Sequence, residues 1–268
     1  MSSKPPIALP QFAQALQTQG RVIGALLMRE LHTRYGRENI GYLWMILEPM
    51  TFAGAVALLH SREGRVYGTD ISGVPFGILG YTVFIIFRGI FTRAEGTIES
   101  NKPLLYHRMV TLLDMLIARA LLEGAGVGMT LVILLALAWS LGLADPPARP
   151  LWEMLAIAYM VWFSFAASMV ACAATNDNRL VSRLIHPATY ILMPISGGFY
   201  IMSWVPEPYR TWLGYLPLTH IFEMARYGQF ASAGSDYFDV IYLTGSCICL
   251  TVIGMLSIRI VRNHVHLS

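Results

Sequence analysis

The strongest constraint on this chain is a series of long apolar runs separated by loops of unequal positive charge. Uncharged or nearly uncharged runs fall at Tyr42–His60, Val74–Phe87, Leu121–Leu143, Ala156–Thr175, Leu184–Met202 and Val240–Ile260. A hydrocarbon core of roughly 30 Å takes about 20 apolar residues as helix. Six such passages in 268 residues leave little chain for a water-soluble domain. Only 13% of residues are charged, against about 25% in soluble domains. The sequence therefore predicts one all-α membrane domain with six transmembrane helices.

Charge placement predicts orientation. Lys4, Arg21, Arg29, Arg34 and Arg37 precede the first run, and Arg93, Lys102 and Arg108 separate the second and third. Arg179 and Arg183 lie between the fourth and fifth, and Arg259 and Arg262 end the sixth. The opposite loops hold only Arg62, Arg65, Arg149, Arg210 and Arg226. Positive loops stay inside, which puts both termini in the cytoplasm. Met1–Gly20 lacks the apolar core of a signal peptide, so the first run is expected to direct insertion.

Three segments outside the runs carry pattern. Met1–Gln19 reads as a polar, proline-bearing tail. In Arg21–Tyr35, Ile23, Leu27, Leu31 and Tyr35 recur every four residues with charges off the stripe. That is an amphipathic helix (20–36) lying in the membrane interface, or else the first turns of a long first span. The inner loop (93–109) reads as a short helix near Glu95–Ser100, a stop at Asn101-Lys102-Pro103, and an apolar Leu104-Leu105-Tyr106 group that needs a surface to cover it. The outer segment (203–239) is rich in prolines and aromatics. It reads as two short helices, near Glu207–Leu213 and Leu218–Tyr227, either re-entrant or forming an aromatic belt.

Charges inside the runs need partners. Arg119 and Glu123 sit four apart at the start of the third span, a spacing that lets them pair. Gly124, Gly126 and Gly128 permit close helix approach there. Arg88 interrupts Phe84–Phe91, and a cation at that depth faces a polar cavity or pairs, with Glu48 as the competing partner. Pro49, Pro187 and Pro194 permit bends. Cys172, Cys247 and Cys249 show neither metal-site nor disulfide spacing and read as small apolar filling.

Catalytic patterns are missing from the sequence. It has no G-x-x-x-x-G-K-[ST], no H-E-x-x-H and no G-x-S-x-G, and its seven histidines are scattered. No catalytic, cofactor-binding or metal residue is expected, and no nucleic acid partner. A membrane transferase would need His, Asp or Glu converging at one face. A gradient-driven carrier would need internal symmetry. Neither pattern is evident, which leaves transport driven by a partner or a gradient.

Three stretches are shared with a known family. Arg29-Glu30-Leu31 with Arg34-Tyr35, then Gly41-Tyr42-Leu43-Trp44 and Leu47-Glu48-Pro49, form the first. Asn101-x-Pro103-Leu104-Leu105-Tyr106 with Asp114, Ala118-Arg119 and Glu123 form the second, and Pro217-Leu218-Thr219-His220 with Glu223, Arg226 and Gly228 the third. In this order the chain resembles permease subunits of capsular polysaccharide ATP-binding-cassette exporters, of the type-2 exporter family. The resemblance implies a bacterial inner-membrane protein that works with a second copy of itself and two separate ATPase subunits, which use ATP and Mg. It implies export of lipid-linked polysaccharide, with a periplasmic adaptor and an outer-membrane channel. O-antigen, teichoic acid and drug or small-lipid permeases of the same architecture are the alternatives.

Under that resemblance, Arg29, Glu95, Glu99, Lys102, Leu104, Leu105 and Arg108 are the candidates for ATPase coupling. A sugar conduit wants hydrogen-bonding groups and flat aromatic faces. Tyr42, Trp44, Glu48, Tyr81, Arg88, Tyr200, Trp204 and Trp212 are the candidates for conduit or gate, with Phe87 a further stacking surface. Packing or lipid contact is the competing role for each aromatic.

Overall fold

A computed structural model describes residues 9–36, 41–60, 69–101, 103 and 110–265. The described chain is helical throughout, and five of its helices are long and apolar enough to cross a membrane.

The N-terminal helix α1 runs from Leu9 to Tyr35, so most of the expected tail is helical. Pro10 falls in the first turn, where its missing N–H leaves no bond unmade. Gln11, Gln14, Gln17 and Gln19 are adequate helix formers, which the proline count obscured. Helix α2 (Gly41–His60) carries Pro49 within it, and α3 spans Gly73–Thr92. A single turn, α4 (Thr97–Ser100), stands where a short helix is expected.

Helix α5 (Leu112–Ser140) begins nine residues ahead of the expected Leu121. Its start is fixed by a capping box. Thr111 Oγ1 accepts the Asp114 N–H at 3.2 Å, and Asp114 Oδ2 accepts the Thr111 N–H at 2.9 Å. Asp114, Arg119 and Glu123 thus lie on a continuous helix. Helix α6 (Pro150–Asp177) starts with proline at its first position.

The expected fifth passage, Leu184–Met202, takes another form. Helix α7 covers Arg179–Ile195, with Pro187 and Pro194 inside it. Its 17 residues reach about 25 Å, short of the roughly 30 Å core. Beyond it come a 3₁₀ turn (Met202–Trp204), α8 (Tyr209–Leu213) and α9 (Pro217–Gln229). The last helix, α10, runs from Val240 to Val265, its start capped by Asp239 Oδ1, which accepts the Ile241 N–H at 2.7 Å.

Helix α6 is the hub, with α3, α5, α7, α9 and α10 packed around it, while α1 lies along α5 and α2 along α3 and α5. Phe84, Leu131, Met160, Ile221 and Phe222 fill the interior. Phe87 stacks on Phe91 and is buried in this core. Cys247 fills the same interior and Cys172 a second cluster with Leu116 and Met169, whereas Cys249 is exposed. Leu43, Trp44, Phe52 and Leu58 of α2, and Ile241, Ile248 and Ile253 of α10, face outward. Hydrocarbon is the medium in which such faces are stable.

Glycine sets the closest approaches. A side chain at Gly124 would press on Val161 of α6, and one at Gly126 on Met45 of α2. The tightest contact joins α3 to the turn after α7, where a Cβ on Gly80 would run into the Gly198 carbonyl oxygen. Gly80→Ala is expected to cost about 1–3 kcal/mol, seen as a lower melting temperature in detergent. Gly54→Ala is the control, since nothing lies within 4 Å of a methyl there.

The loops at one end of the bundle are clipped together. Asp70 accepts from the backbone of Ala231 and Ser232. Arg149 donates to the carbonyls of Tyr227 at 2.9 Å and Phe230 at 3.2 Å, with its guanidinium over the Tyr227 ring. Gln229 donates to the Asp145 carbonyl at 3.0 Å.

Candidate functional site

A side-opening cavity of about 510 Å³ lies between α2, α3, α5 and α7. Glu48, Pro49 and Phe52 come from α2, Tyr81 and Arg88 from α3, Gly126 from α5 and Tyr190 from α7. Three conduit candidates, Glu48, Tyr81 and Arg88, therefore share one slot. Pro49 sits in its wall, and the Gly126 contact holds α2 close to α5.

Arg88 does not pair with Glu48. It donates to the Tyr190 hydroxyl, and its guanidinium carbon lies 3.9 Å from the centre of that ring. Helix α7 passes α3 at this height, and the phenol offers the nearer acceptor. The other candidates lie elsewhere. Trp44 is exposed on the same helix as Glu48. Tyr200 donates to the Ile195 carbonyl at 2.7 Å, and Trp204 packs against Phe76 with centroids 5.7 Å apart. Trp212 is exposed on α8. The Tyr42 side chain lies outside the described residues.

Below the slot is a cluster of charge. Glu30 Oε1 accepts from Arg34 at 2.8 Å and from Arg119 at 3.1 Å. Glu123 Oε1 accepts from Arg93 at 3.0 Å and also from Arg34. The expected Arg119–Glu123 pair is thus replaced by pairs reaching across to α1 and to the end of α3. Two facing elements bring better-placed partners than a neighbouring turn of the same helix. Arg119 continues to the Arg93 carbonyl at 2.9 Å and Thr97 Oγ1 at 2.6 Å. Arg29 donates to Asn101 Oδ1 at 2.8 Å, and Gln19 to Asp114 Oδ1 at 2.6 Å. The amphipathic helix is thereby fastened to α5 and to residues 93–101.

Burial alone would raise the Glu30 carboxyl. The charges of Arg119, Arg34 and Arg29 outweigh it and hold the group below its ordinary range. A depressed native value adds stability that is fully present above the unfolded value and is lost as pH falls through the native one. Acid melting of the detergent-solubilised protein between pH 5 and 3 is expected to be shallower for Glu30→Gln than for wild type. Equal slopes would remove this carboxylate from the acid-sensitive set.

Of the coupling candidates, Arg29 is in the cluster. Glu95 accepts from Ser182 and lies 3.4 Å from His186 Nε2, bridging the inner loop to α7. Glu99 is exposed. Lys102, Leu104, Leu105 and Arg108 lie outside the described residues.

A buried group escaped the candidate set. Arg226 of α9 is 1% exposed and donates to Glu223 Oε1 at 2.9 Å, to the Gly198 carbonyl at 3.1 Å and to the Gly197 carbonyl. Its guanidinium lies over Phe76 of α3, 4.7 Å from the ring centre. Glu223 also accepts the Met202 N–H at 3.0 Å. A Glu and an Arg three apart as the acid and the guanidinium of one short helix were the signal for it. The outer helix is thus fixed to α3 and to the turn after α7.

Comparison with known proteins gives a consistent result. The family described as ABC-2 type transporter matches residues 21–230. The chain is 32% identical over 248 residues to the capsule polysaccharide export inner-membrane protein BexB of Haemophilus influenzae, covering 92% of this chain and 94% of that one. It is 34% identical over 244 residues to the capsule polysaccharide export inner-membrane protein CtrC of Neisseria meningitidis serogroup B, covering 91% and 92%. To the polysialic acid transport protein KpsM of Escherichia coli it is 28% identical over 241 residues, covering 89% and 93%.

Proposed function

The chain belongs to the ABC-2 type transporter family, and from that premise we propose that it is the permease subunit of an ATP-driven exporter of capsular polysaccharide, placed in the bacterial inner membrane. The observation that carries the cargo is the end-to-end similarity to two capsule export proteins, each covered over more than nine-tenths of its length. The chain acts as the membrane passage. Hydrolysis of ATP with Mg belongs to two separate ATPase subunits.

The proposed topology has six passages, with α7 and the turn after it completing the fifth. Both termini face the cytoplasm. The stretch 20–36, largely the second half of α1, lies in the inner interface, residues 93–109 form the coupling loop, and 203–239 is the re-entrant outer segment of one permease domain, 1–268. The side-opening slot supports a dimer, because a second copy set against α2 and α7 would enclose Glu48, Tyr81 and Arg88. Trp44, Tyr200, Trp204 and Trp212 would then offer stacking faces along the route. The adaptor and outer-membrane channel complete the path.

Coupling follows from the charge cluster. An ATPase seated on Leu104 and Leu105, steered by Glu99, Lys102 and Arg108, would push on residues 93–101. Arg29, Arg93 and Arg119 tie that stretch to α1, α3 and α5, so one displacement reaches three elements together. Glu95 carries it to α7.

The test is co-purification with the candidate ATPase, together with the location of glycan in cells lacking this chain. The expected result is a stable complex and lipid-linked glycan retained inside the cell. Normal surface glycan in the deletion strain would overturn the proposal.

A further inference from the structure

One cation in the slot differs from the arginines that the fold pairs with carboxylates. Arg34, Arg93, Arg119, Arg210 and Arg226 each come within 4.0 Å of a carboxylate oxygen. Arg88 contacts a phenol instead, and among the described residues it has no carboxylate within that distance. It is half-buried on a helix apolar enough to cross a membrane. A cation on such a helix is rare and calls for an electrostatic partner. An aromatic face supplies part of that compensation and carries no full opposite charge. An oxyanion brings a full opposite charge and can take two guanidinium N–H groups at once, which a phenol cannot, so an incoming anion competes well with Tyr190.

The surroundings shape what can bind. The slot's volume of about 510 Å³ falls within the range of small-molecule sites. Tyr81 feels the charges of both Arg88 and Glu48, so these three and Tyr190 form one polar patch in an apolar wall. Glu48 accepts hydrogen bonds and repels anions, and therefore suits sugar hydroxyls. Arg88 suits the acid. The neighbouring cation Arg93 is already held by Glu123. A single arginine without a second cation gives a loose hold, which a moving polymer requires.

We propose that the slot contains an anion subsite, formed by Arg88 with Tyr81 and Tyr190, which takes the carboxylate or phosphate of an acidic glycan or of its lipid linker. The proposal rests on the exporter reading and adds the chemical class of what passes Arg88. Tyr190 keeps the guanidinium occupied between passages and gives it up when an oxyanion arrives.

The test uses the chain with its ATPase in phosphatidylcholine nanodiscs, with hexagalacturonate as probe and calorimetry as readout. Wild type should bind the acidic hexamer at least tenfold more tightly than the same hexamer with its carboxyls reduced. Arg88→Gln should weaken acidic binding at least tenfold. Arg88→Lys, which keeps the charge but loses the planar fork, should fall between and guards against a folding defect in the glutamine variant. Repeating the titration in phosphatidylglycerol nanodiscs separates the sources. Loss of hexamer binding there assigns the site to a lipid phosphate, and unchanged binding assigns it to the glycan. Equal affinity for both hexamers, no binding by wild type, or unaltered binding by Arg88→Gln would overturn the proposal. None of those results touches the exporter reading, which fails only on the deletion strain.

Discussion

Replacing Glu123 with alanine is expected to lower stability by about 3–5 kcal/mol, the scale for stripping one partner from a buried ion pair. Its side chain is 10% exposed and takes bonds from both Arg93 and Arg34. Without it those guanidiniums, with Arg119 close by, share Glu30 as their remaining carboxylate in the cluster. The change also empties the space over Gly89, whose absent Cβ lets Glu123 lie against the α3 backbone. Chemical unfolding in detergent micelles measures the loss. The double variant Glu123→Gln with Arg93→Gln should recover a good part of it, because no extra charge is then stranded. A single-variant loss under about 0.5 kcal/mol would show that water or headgroups already screen the cluster, as they do for surface pairs. The same alanine variant should bind the ATPase yet lose stimulation by it, since the link from α1 to the end of α3 is cut.

A similar loss, again about 3–5 kcal/mol, is expected for Arg226→Leu. Leucine leaves the Glu223 carboxylate buried without its cation and two backbone carbonyls, of Gly197 and Gly198, without their donor. Unsatisfied buried groups each carry a penalty of about 1–3 kcal/mol. Arg226→Leu with Glu223→Gln should be milder, because the amide oxygen can still accept the Met202 N–H. Protease sensitivity of the segment from Met202 to Phe230 gives a second readout, expected to rise sharply in the single variant and modestly in the double. Unchanged sensitivity would mean that the outer helices are held by their apolar contacts alone.

The membrane class and the helix positions were legible because hydropathy and length act locally. The runs beginning at Val74, Leu121, Ala156 and Val240 each became part of a long helix, and their ends shifted outward because charged residues such as Asp114 and Glu153 remain helical when capped or packed. The fifth run was harder to read. Pro187 and Pro194 did not stop α7, but Gly197 at φ +97° turned the chain soon after Ile195. Leu184–Met202 was therefore one stretch by hydropathy and two by backbone.

Pairing was the least legible feature. Arg119 and Glu123 have the right spacing for each other, yet each found a partner on another helix. Glu48 and Arg88 suit each other in charge, yet Tyr190 intervened. Spacing reports neighbours on one helix, whereas partners across helices depend on packing that no window of sequence contains. Glu223 with Arg226 and Glu30 with Arg34 were exceptions, local pairs that are also largely buried.

The clips of the outer rim bear on how such a protein can change shape. Asp70, Arg149 and Gln229 join three stretches far apart in sequence, and Arg226 bolts α9 to the same block. A block so joined turns as a unit, like a capstone, and absorbs little bending of its own. Compliance must then reside in the proline-bearing α7, which reaches from Glu95 at the inner loop to the edge of that capstone. Hydrogen–deuterium exchange should accordingly be slow along the rim and fast through the middle turns of α7.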